Sequence, residues 1–367
     1  MSSAVSSRPR RTFRQLHGVL LLDKAGGITS NKALQQVRHL FNAKKAGHTG
    51  NLDPLATGML PVCFGEATKI SAYLLDADKA YSAVAQLGSV TDTGDSDGTV
   101  IQQRPLPAGL DTHMLETALG AFRGHIEQVP PMYSALKHEG RRLHELARAG
   151  KTVERKPRSV VISMLEMTGF GQGSFSIDVR CSKGTYIRSL VQDIGEALGC
   201  GAHLTALRRT AVSPFHAEPM LAFDSLHRLH DKGGLEAIDR HLLCLDTPLQ
   251  HLPSVTLEVE DVIRFRHGNP AGADKLVPGS NMTLSESAAA GIAGTAPDRT
   301  AVAAATSDGS GTLVRVYAPD RQFIGIGVAS NASASDTTEP VARAPDTYEN
   351  SSDHLLIRPR RVLNLST

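Results

Sequence analysis

Cysteine is scarce. The four present, Cys63, Cys181, Cys200 and Cys244, stand far apart and form no Cys-x-x-Cys pair. That distribution argues against a disulfide framework or a zinc site, and fits the reduced thiols of a cytosolic protein. Long hydrophobic runs are missing too: the longest near the N-terminus, in "GVLLLDK", is the size of a strand and far short of a membrane span. The glycine-rich turn after it does not lead into Gly-Lys-Ser/Thr, which rules out a nucleotide phosphate loop. "TDTGDSDG" has the composition of a calcium loop, yet Thr93 occupies the first ligand position and Arg104 the closing one. No repeat of solenoid period is found. "MSSAVSSRPRRTFRQL" lacks acids, as an organelle transit peptide does, but it is short and has no apolar stripe. Residues 1–15 are therefore expected to form a flexible basic tail.

What is present is enough chain for two or three domains: 367 residues, 41% hydrophobic and 21% charged, an ordinary soluble composition. The net charge of +2 hides an uneven distribution. Residues 1–50 carry nine Lys or Arg against Asp23 alone, and residues 137–158 carry eight against Glu139, Glu145 and Glu154. From 251 onward, thirteen acids outnumber ten basic residues. A single charge cluster is usually a solvated face, but two basic clusters in one half of the chain make a polyanionic partner an equal alternative.

"HGVLLLDKAGGITS" reads as a strand, a turn and a helix N-cap at Thr29 or Ser30, with Leu34, Val37, Leu40 and Phe41 as the buried stripe of the helix. "AYSAVAQLGSV" alternates as a strand does. Phe175, Ile177, Val179 and Cys181 alternate with Ser174, Ser176, Asp178 and Arg180, giving a half-buried strand. A "SKGT" turn then opens a helix with stripe Ile187, Leu190, Val191, Ile194 and Leu198, which puts Tyr186 and Arg188 in its first turn. After "DTPLQHLP" a smaller domain begins, containing a hairpin with its turn at Ala318–Asp320. Residues 271–310 and 330–352, rich in Ala, Gly, Ser and Thr, have too little apolar content to order themselves.

"GHTGNLDPLATGML" (Gly47–Leu60) has neither helical nor strand periodicity and a single acid, Asp53. An Asp before Pro is most often only a turn residue. Here Pro54 biases Asp53 toward extended backbone, and Gly47, Gly50 and Gly58 permit close approach of another backbone or a ligand. A carboxylate so held can be a nucleophile or a base. A glycosidase would need a second carboxylate, for which Asp92, Asp95 and Asp97 qualify by composition alone.

"GHTGNLDPLATGMLPVCFGEATKI" followed by "DADKAYSAVAQLGSVTDTGDSDG" resembles the bacterial TruB family of tRNA pseudouridine synthases. "PPMYSALKHEGRRLHELARAG", "CSKGTYIRSLVQDIGEALG" and "AHLTALRRTAVSPF" match the same family in the same order, as do "RFRHGNP", "VRVYAPDRQFIGIG" and "IRPRRVL" near the C-terminus. The resemblance implies an α+β pseudouridine synthase fold, a mixed and mostly antiparallel sheet flanked by helices, over residues 16–250. It implies a small β-rich PUA-like RNA-binding domain over 251–367, interrupted by the low-complexity insert.

The implied reaction is the isomerisation of uridine 55 in the T loop of tRNA. It detaches uracil from C1′ of the ribose, turns it, and reattaches it through C5. Such a reaction needs no cofactor and no metal, in keeping with the missing ligand spacings. The partner implied is the T-arm stem-loop of tRNA, with no guide RNA and no membrane, for a cytoplasmic monomer. On the same resemblance Asp53 is the catalytic nucleophile and Arg188 its ion-pair partner. Tyr81 and Tyr186 flank the target base, with Tyr81 also a catalytic residue whose hydroxyl helps remove the C5 proton; Leu207 walls the uridine pocket, and Lys69 is a basic pocket residue. His48 lies against the RNA, filling the space left by the flipped nucleotide. Segment 133–158 is an RNA-gripping insertion, in which Lys137, Arg141, Arg142 and Lys151 face phosphates. Taken singly, Arg188 reads as a surface charge and Tyr81 or Leu207 as core. Two rivals remain: an RNA-binding or remodelling protein on the same scaffold without turnover, and the guide-dependent archaeal and eukaryotic branch. The intact set of Asp53, Tyr81, Tyr186 and Arg188 weighs against the first, and the bacterial form of the "GHTGNLDPLATGMLP" block against the second.

Overall fold

The computed structural model describes residues 12–216, 218–279, 311–331 and 355–365. Residues 1–11, 280–310 and 332–354, where most of the basic tail and of the two low-complexity segments fall, lie outside the described residues.

The run GVLLLDK has no polar phase, and the strand it makes, β1 (Gly18–Lys24), is buried along almost its whole length. Helix α1 (Ser30–Leu40) follows. Thr29 is its cap, accepting a hydrogen bond from the Lys32 amide, which leaves Ser30 free for another task. Next come β2 (Ala46–His48), β3 (Thr57–Phe64), α2 (Ser71–Leu75), β4 (Lys79–Leu87) and a hairpin of β5 (Ser89–Thr91) and β6 (Val100–Gln103). Helix α3 (Thr112–Gly120) and β7 (Gly124–Gln128) lead to the basic segment, which folds as a small ribbon of β8 (Lys137–His138) and β9 (Arg141–Arg142) with α4 (Leu143–Arg148). The long strand β10 (Arg158–Gly171), β11 (Ser174–Cys181), α5 (Ile187–Ala197), β12 (Ala202–Val212), β13 (Leu221–Ala222) and α6 (Phe223–Asp239) complete this part.

One nine-stranded sheet runs β13-β1-β3-β12-β4-β11-β10-β7, with β2 attached to β3. From β12 to β7 every neighbour is antiparallel, whereas β1 with β13 and β3 with β12 are parallel. This is the mixed, mostly antiparallel sheet that the resemblance implies. The alternation in β11 is obeyed: Phe175, Ile177, Val179 and Cys181 are buried and the residues between them are half-exposed. Helix α5 buries Ile187, Leu190, Val191 and Ile194.

The chain divides into two compact units: the first contains 20–62 and 74–241, and the second contains 16–19, 63–73 and the chain from 242 onward. The second unit thus starts ahead of residue 251, because Leu249 and Leu252 of "DTPLQHLP" are buried in a cluster with Ile70, Phe323, Ile326 and Leu363. Its five-stranded sheet is built from β14 (Ser254–Thr256), β15 (Ala271–Ala273), β16 (Thr312–Tyr317), β17 (Phe323–Asn331) and β18 (Leu355–Val362), in the order β14-β16-β17-β18-β15. The helix Val259–Arg266 buries Val262 and Phe265 in that unit's core. Two expectations change here. The first residues of the 271–310 insert form strand β15, paired to β18, since Ala271 and Ala273 are small enough to bury. The hairpin turn extends to Gln322, where the Ala318 amide donates to the Gln322 carbonyl. Arg14, at the end of the expected basic tail, is held by Asp239 at 2.5 Å. Among the described residues no helix is long and apolar enough to cross a membrane.

Gly195 marks the closest approach of α5 to the sheet, where an added Cβ would sit 2.3 Å from the Ala202 amide nitrogen. Backbone cannot yield as a flexible side chain can. Gly195→Ala is therefore expected to cost about 1–3 kcal/mol of stability, read as a lower urea midpoint with an unchanged m-value.

Candidate active site

The segment from Gly47 to Gly58 has no regular structure of its own, so its backbone groups must find partners elsewhere. They find them in buried side chains. Ser30 accepts a hydrogen bond from the Leu52 amide at 2.7 Å and donates to the Leu52 carbonyl at 3.0 Å. Lys24, wholly buried, donates to the carbonyls of Ala25, Ile28 and Pro54. Arg209, 1% exposed, donates from Nε to the Met59 carbonyl and from Nη1 to the Asn51 carbonyl. Gly58, at φ +98°, lets β3 press against the Arg209 backbone, where a Cβ would come within 2.2 Å of the carbonyl oxygen. The loop is a braced platform, and Asp53 is at its head.

Asp53 meets Arg188, the second residue of α5, with Oδ2 2.8 Å from Nε. The two differ sharply in exposure: 40% for the aspartate side chain and 4% for the arginine. Each of the other two guanidinium nitrogens also has a partner. Nη1 donates to the Thr93 carbonyl at 2.6 Å, Nη2 donates to the Tyr133 carbonyl at 2.8 Å, and the buried Asp95 carboxylate lies 3.6 Å from Nε. Burial pushes the Asp53 carboxyl above the ordinary aspartate value. The Arg188 cation opposes that push, and the Asp95 anion adds to it.

The other expected residues fall in different places. Tyr81 is half-buried on β4, and burial raises its hydroxyl pKa while the Arg209 cation opposes the rise and the Asp53 charge adds to it. Tyr186 caps α5 rather than lying within its first turn. Its amide donates to Gln128 Oε1 at 2.7 Å, and Gln128 Nε2 donates to its carbonyl at 3.0 Å. Burial raises the Tyr186 hydroxyl pKa as well, opposed by Ser134. Leu207 is buried on β12, opposite Ala83 of β4. His48 is half-buried in β2; burial and Arg209 lower its pKa, and its Nδ1 has no hydrogen-bond partner. These residues belong to one unit with Asp53. Lys69 belongs to the other, where it pairs with Glu66 at 2.6 Å and donates to the Val362 carbonyl at 2.9 Å. Lys137, Arg141, Arg142 and Lys151 are exposed on the basic ribbon and just beyond it.

Sequence reading missed Lys24, Gln128 and Arg209 as site residues, and saw Asp95 only as one of three acids. A signal existed for Arg209: Leu207, Arg209 and Ala211 share the buried phase of β12, so a charge falls where the strand is otherwise apolar. Gln128 carried none, because its partners are backbone atoms 58 positions away. Among the described residues no group of three or more His, Cys, Asp or Glu could hold a metal ion.

The chain matches the TruB family pseudouridylate synthase N-terminal domain over residues 38–187 and the tRNA pseudouridylate synthase B C-terminal domain over 188–250. It is 57% identical over 265 residues to tRNA pseudouridine synthase B of Chromohalobacter salexigens, covering 72% of this chain and 85% of that protein. It is 52% identical over 264 residues to the protein of that name from Pseudomonas aeruginosa strain UCBPP-PA14, with 72% and 86% covered. A chain in the crystal structure of a Cbf5–Nop10–Gar1 complex shares the fold at TM-score 0.63 and 23% identity, over 98% of this chain and 91% of that one.

Removing the cation from the Asp53–Arg188 pair has a definite sign. Burial already raises the Asp53 pKa, and Arg188 restrains the rise. In Arg188→Gln the carboxyl is expected to titrate at least about one pH unit higher than in the native chain. Carboxyl 13C shifts of aspartate-labelled protein follow that titration. An unchanged or lower midpoint would contradict the pairing.

Proposed function

The chain belongs to the TruB family of pseudouridylate synthases, and we propose that it converts uridine 55 in the T loop of tRNA to pseudouridine, using Asp53 as the nucleophile. The observation that carries this reading is the asymmetry of the Asp53–Arg188 pair. The cation is buried with each of its three nitrogens partnered, while the carboxylate is 40% exposed. A nucleophile needs that open face.

The target base is stacked inside the T loop, so it has to leave the stack to reach Asp53. Tyr81 offers an aromatic platform beside the carboxylate, Leu207 an apolar wall, and Tyr186 a second ring on a backbone position tied by Gln128. Asp53 acts on C1′ in its ionised form, either by direct attack or by assisting a glycal intermediate. The freed uracil turns and rejoins the ribose through C5. The atoms of substrate and product are the same, so one carboxylate serves the departure and the return. The PUA-like reading of the C-terminal unit makes it a further RNA contact, and the names of the bacterial relatives support tRNA as substrate.

The test is tritium release from C5-labelled uridine in a T-arm stem-loop, with the protein alone and no guide RNA. Native protein is expected to release the label. Asp53→Asn is expected to release none while binding tRNA within a few-fold of native, because the amide keeps the shape and loses the charge. Turnover by the purified variant would remove Asp53 from its role. Binding without release by the native protein would instead support a non-catalytic RNA-binding protein.

Residues 137–158 hold the positive charge expected to grip the RNA. Changing Arg141, Arg142 and Lys151 together to Gln should weaken tRNA binding and flatten the slope of log affinity against log salt by about two units. The loss belongs in KM, since these side chains are remote in role from the reacting uracil. An unchanged slope at unchanged affinity would make the segment a solvated face.

A further inference from the structure

Arg209 does more than a strand residue requires. It is 1% exposed, and the cost of burying a guanidinium has to be met by its surroundings. Nε and Nη1 are placed on the carbonyls of Met59 and Asn51, at 2.7 and 3.4 Å, on either side of Asp53 in sequence. Nη2 is buried with no hydrogen-bond partner. Across the sheet, Arg209 stands directly opposite Tyr81, and no other charged group acts as strongly on the Tyr81 hydroxyl.

We propose that Arg209 is a positioning residue that holds a cation beside the Tyr81 hydroxyl and so stabilises the phenolate that removes the C5 proton from the rejoined uracil. This rests on the function proposed above. After uracil reattaches through C5, that carbon still carries its hydrogen, and the ring holds a double bond between N1 and C6. The C5–H bond breaks, and its electron pair forms the C5–C6 double bond. The N1–C6 pair moves to N1, which takes a proton from water. The Tyr81 phenolate accepts the C5 proton and later loses it to water, which accounts for label release.

The groups around the pair set the balance. Cys181, on β11, and Asp53 both oppose ionisation of Tyr81, and burial opposes it most; Arg209 is the leading cation against them. Burial lowers the pKa of Lys24, Lys79 and His48, and the same guanidinium adds to the drop in each. Removing it therefore raises the Tyr81 pKa, and the phenolate forms only at higher pH.

The experiment uses full-length native protein, Arg209→Met and Arg209→Lys, each checked by circular dichroism, in single-turnover assays on a T-arm stem-loop from pH 6 to 10. Arg209→Met is expected to be about 100-fold slower or more, with tRNA binding within a few-fold of native. Its alkaline rise in rate should move up by about one pH unit or more, and deuterium at C5 should slow it more than it slows the native protein. Arg209→Lys should recover part of the rate. If Arg209→Met does not fold, 3-fluorotyrosine at position 81 of Arg209→Lys is the deciding variant. Its more acidic phenol should raise the rate of that variant at neutral pH. A slower Arg209→Met with unmoved pH profile and isotope effect, or no gain from the fluorinated phenol, overturns the proposal. Native turnover in the same assay separates that failure from failure of the functional reading, which native inactivity alone would signal.

Discussion

A buried guanidinium tolerates almost no freedom in its surroundings. Burial removes the Arg188 nitrogens from water, so each needs a partner in the protein, and these partners come from three different stretches of chain. Asp53 comes from the loop before β3, Thr93 and Asp95 from the turn between β5 and β6, and Tyr133 from the base of the basic segment. Three loops with no periodicity of their own are thereby fixed about one side chain at the start of α5. Truncating Arg188 would strip two carbonyls and the Asp53 carboxylate of their donor at once, and Asp95 of its nearby cation. Its loss should therefore disturb both the site and the attachment of the segment proposed to hold RNA.

Beneath the loop that bears Asp53, Lys24 and Arg209 repeat the device with carbonyls as partners. Burial lowers the Lys24 pKa to about 8, a drop that the neighbouring Asp53 charge opposes and Arg209 reinforces. Two cations, Arg188 and Lys24, thus favour the charged form of one carboxylate, while burial and Asp95 work against its ionisation. The carboxylate stays exposed because its supports approach from behind, through backbone atoms and through Arg188, and leave the other face for a ligand. Rigidity and access are obtained together by bracing the backbone and leaving the acid open.

Tyr186 is fixed by a related economy. Its amide, ahead of α5, has no helical partner, whereas its carbonyl already accepts from the Leu190 amide. The Gln128 side chain satisfies that amide and adds a second bond to the carbonyl, tying the end of β7 to the start of α5.

Local pattern alone settled much of this protein. The period-two alternation of β11, the apolar stripe of α5 and the capped start of α1 were legible because each depends on residues a few positions apart. So was the oddity of Asp53, a lone acid in a glycine-rich stretch before proline, and linked motifs tied it to Arg188, Tyr81 and Tyr186. What sequence left undecided was what each charged or polar side chain faces. Arg209 and Arg208 are adjacent and chemically identical, yet one is buried under the loop and the other pairs with Asp23 at the surface. The phase of β12 hinted at the difference, but only the pairing of β12 with β3 and β4 supplied the carbonyls that make burial tolerable. Lys69, in a motif next to the catalytic block, is bound to Glu66 and Val362 in the second unit, 293 positions separating it from the carbonyl it meets. Gln128 and Asp95 acquire their roles in the same way. Backbone partners leave no signature in side-chain pattern, so the network that holds Asp53 was decided by tertiary structure alone.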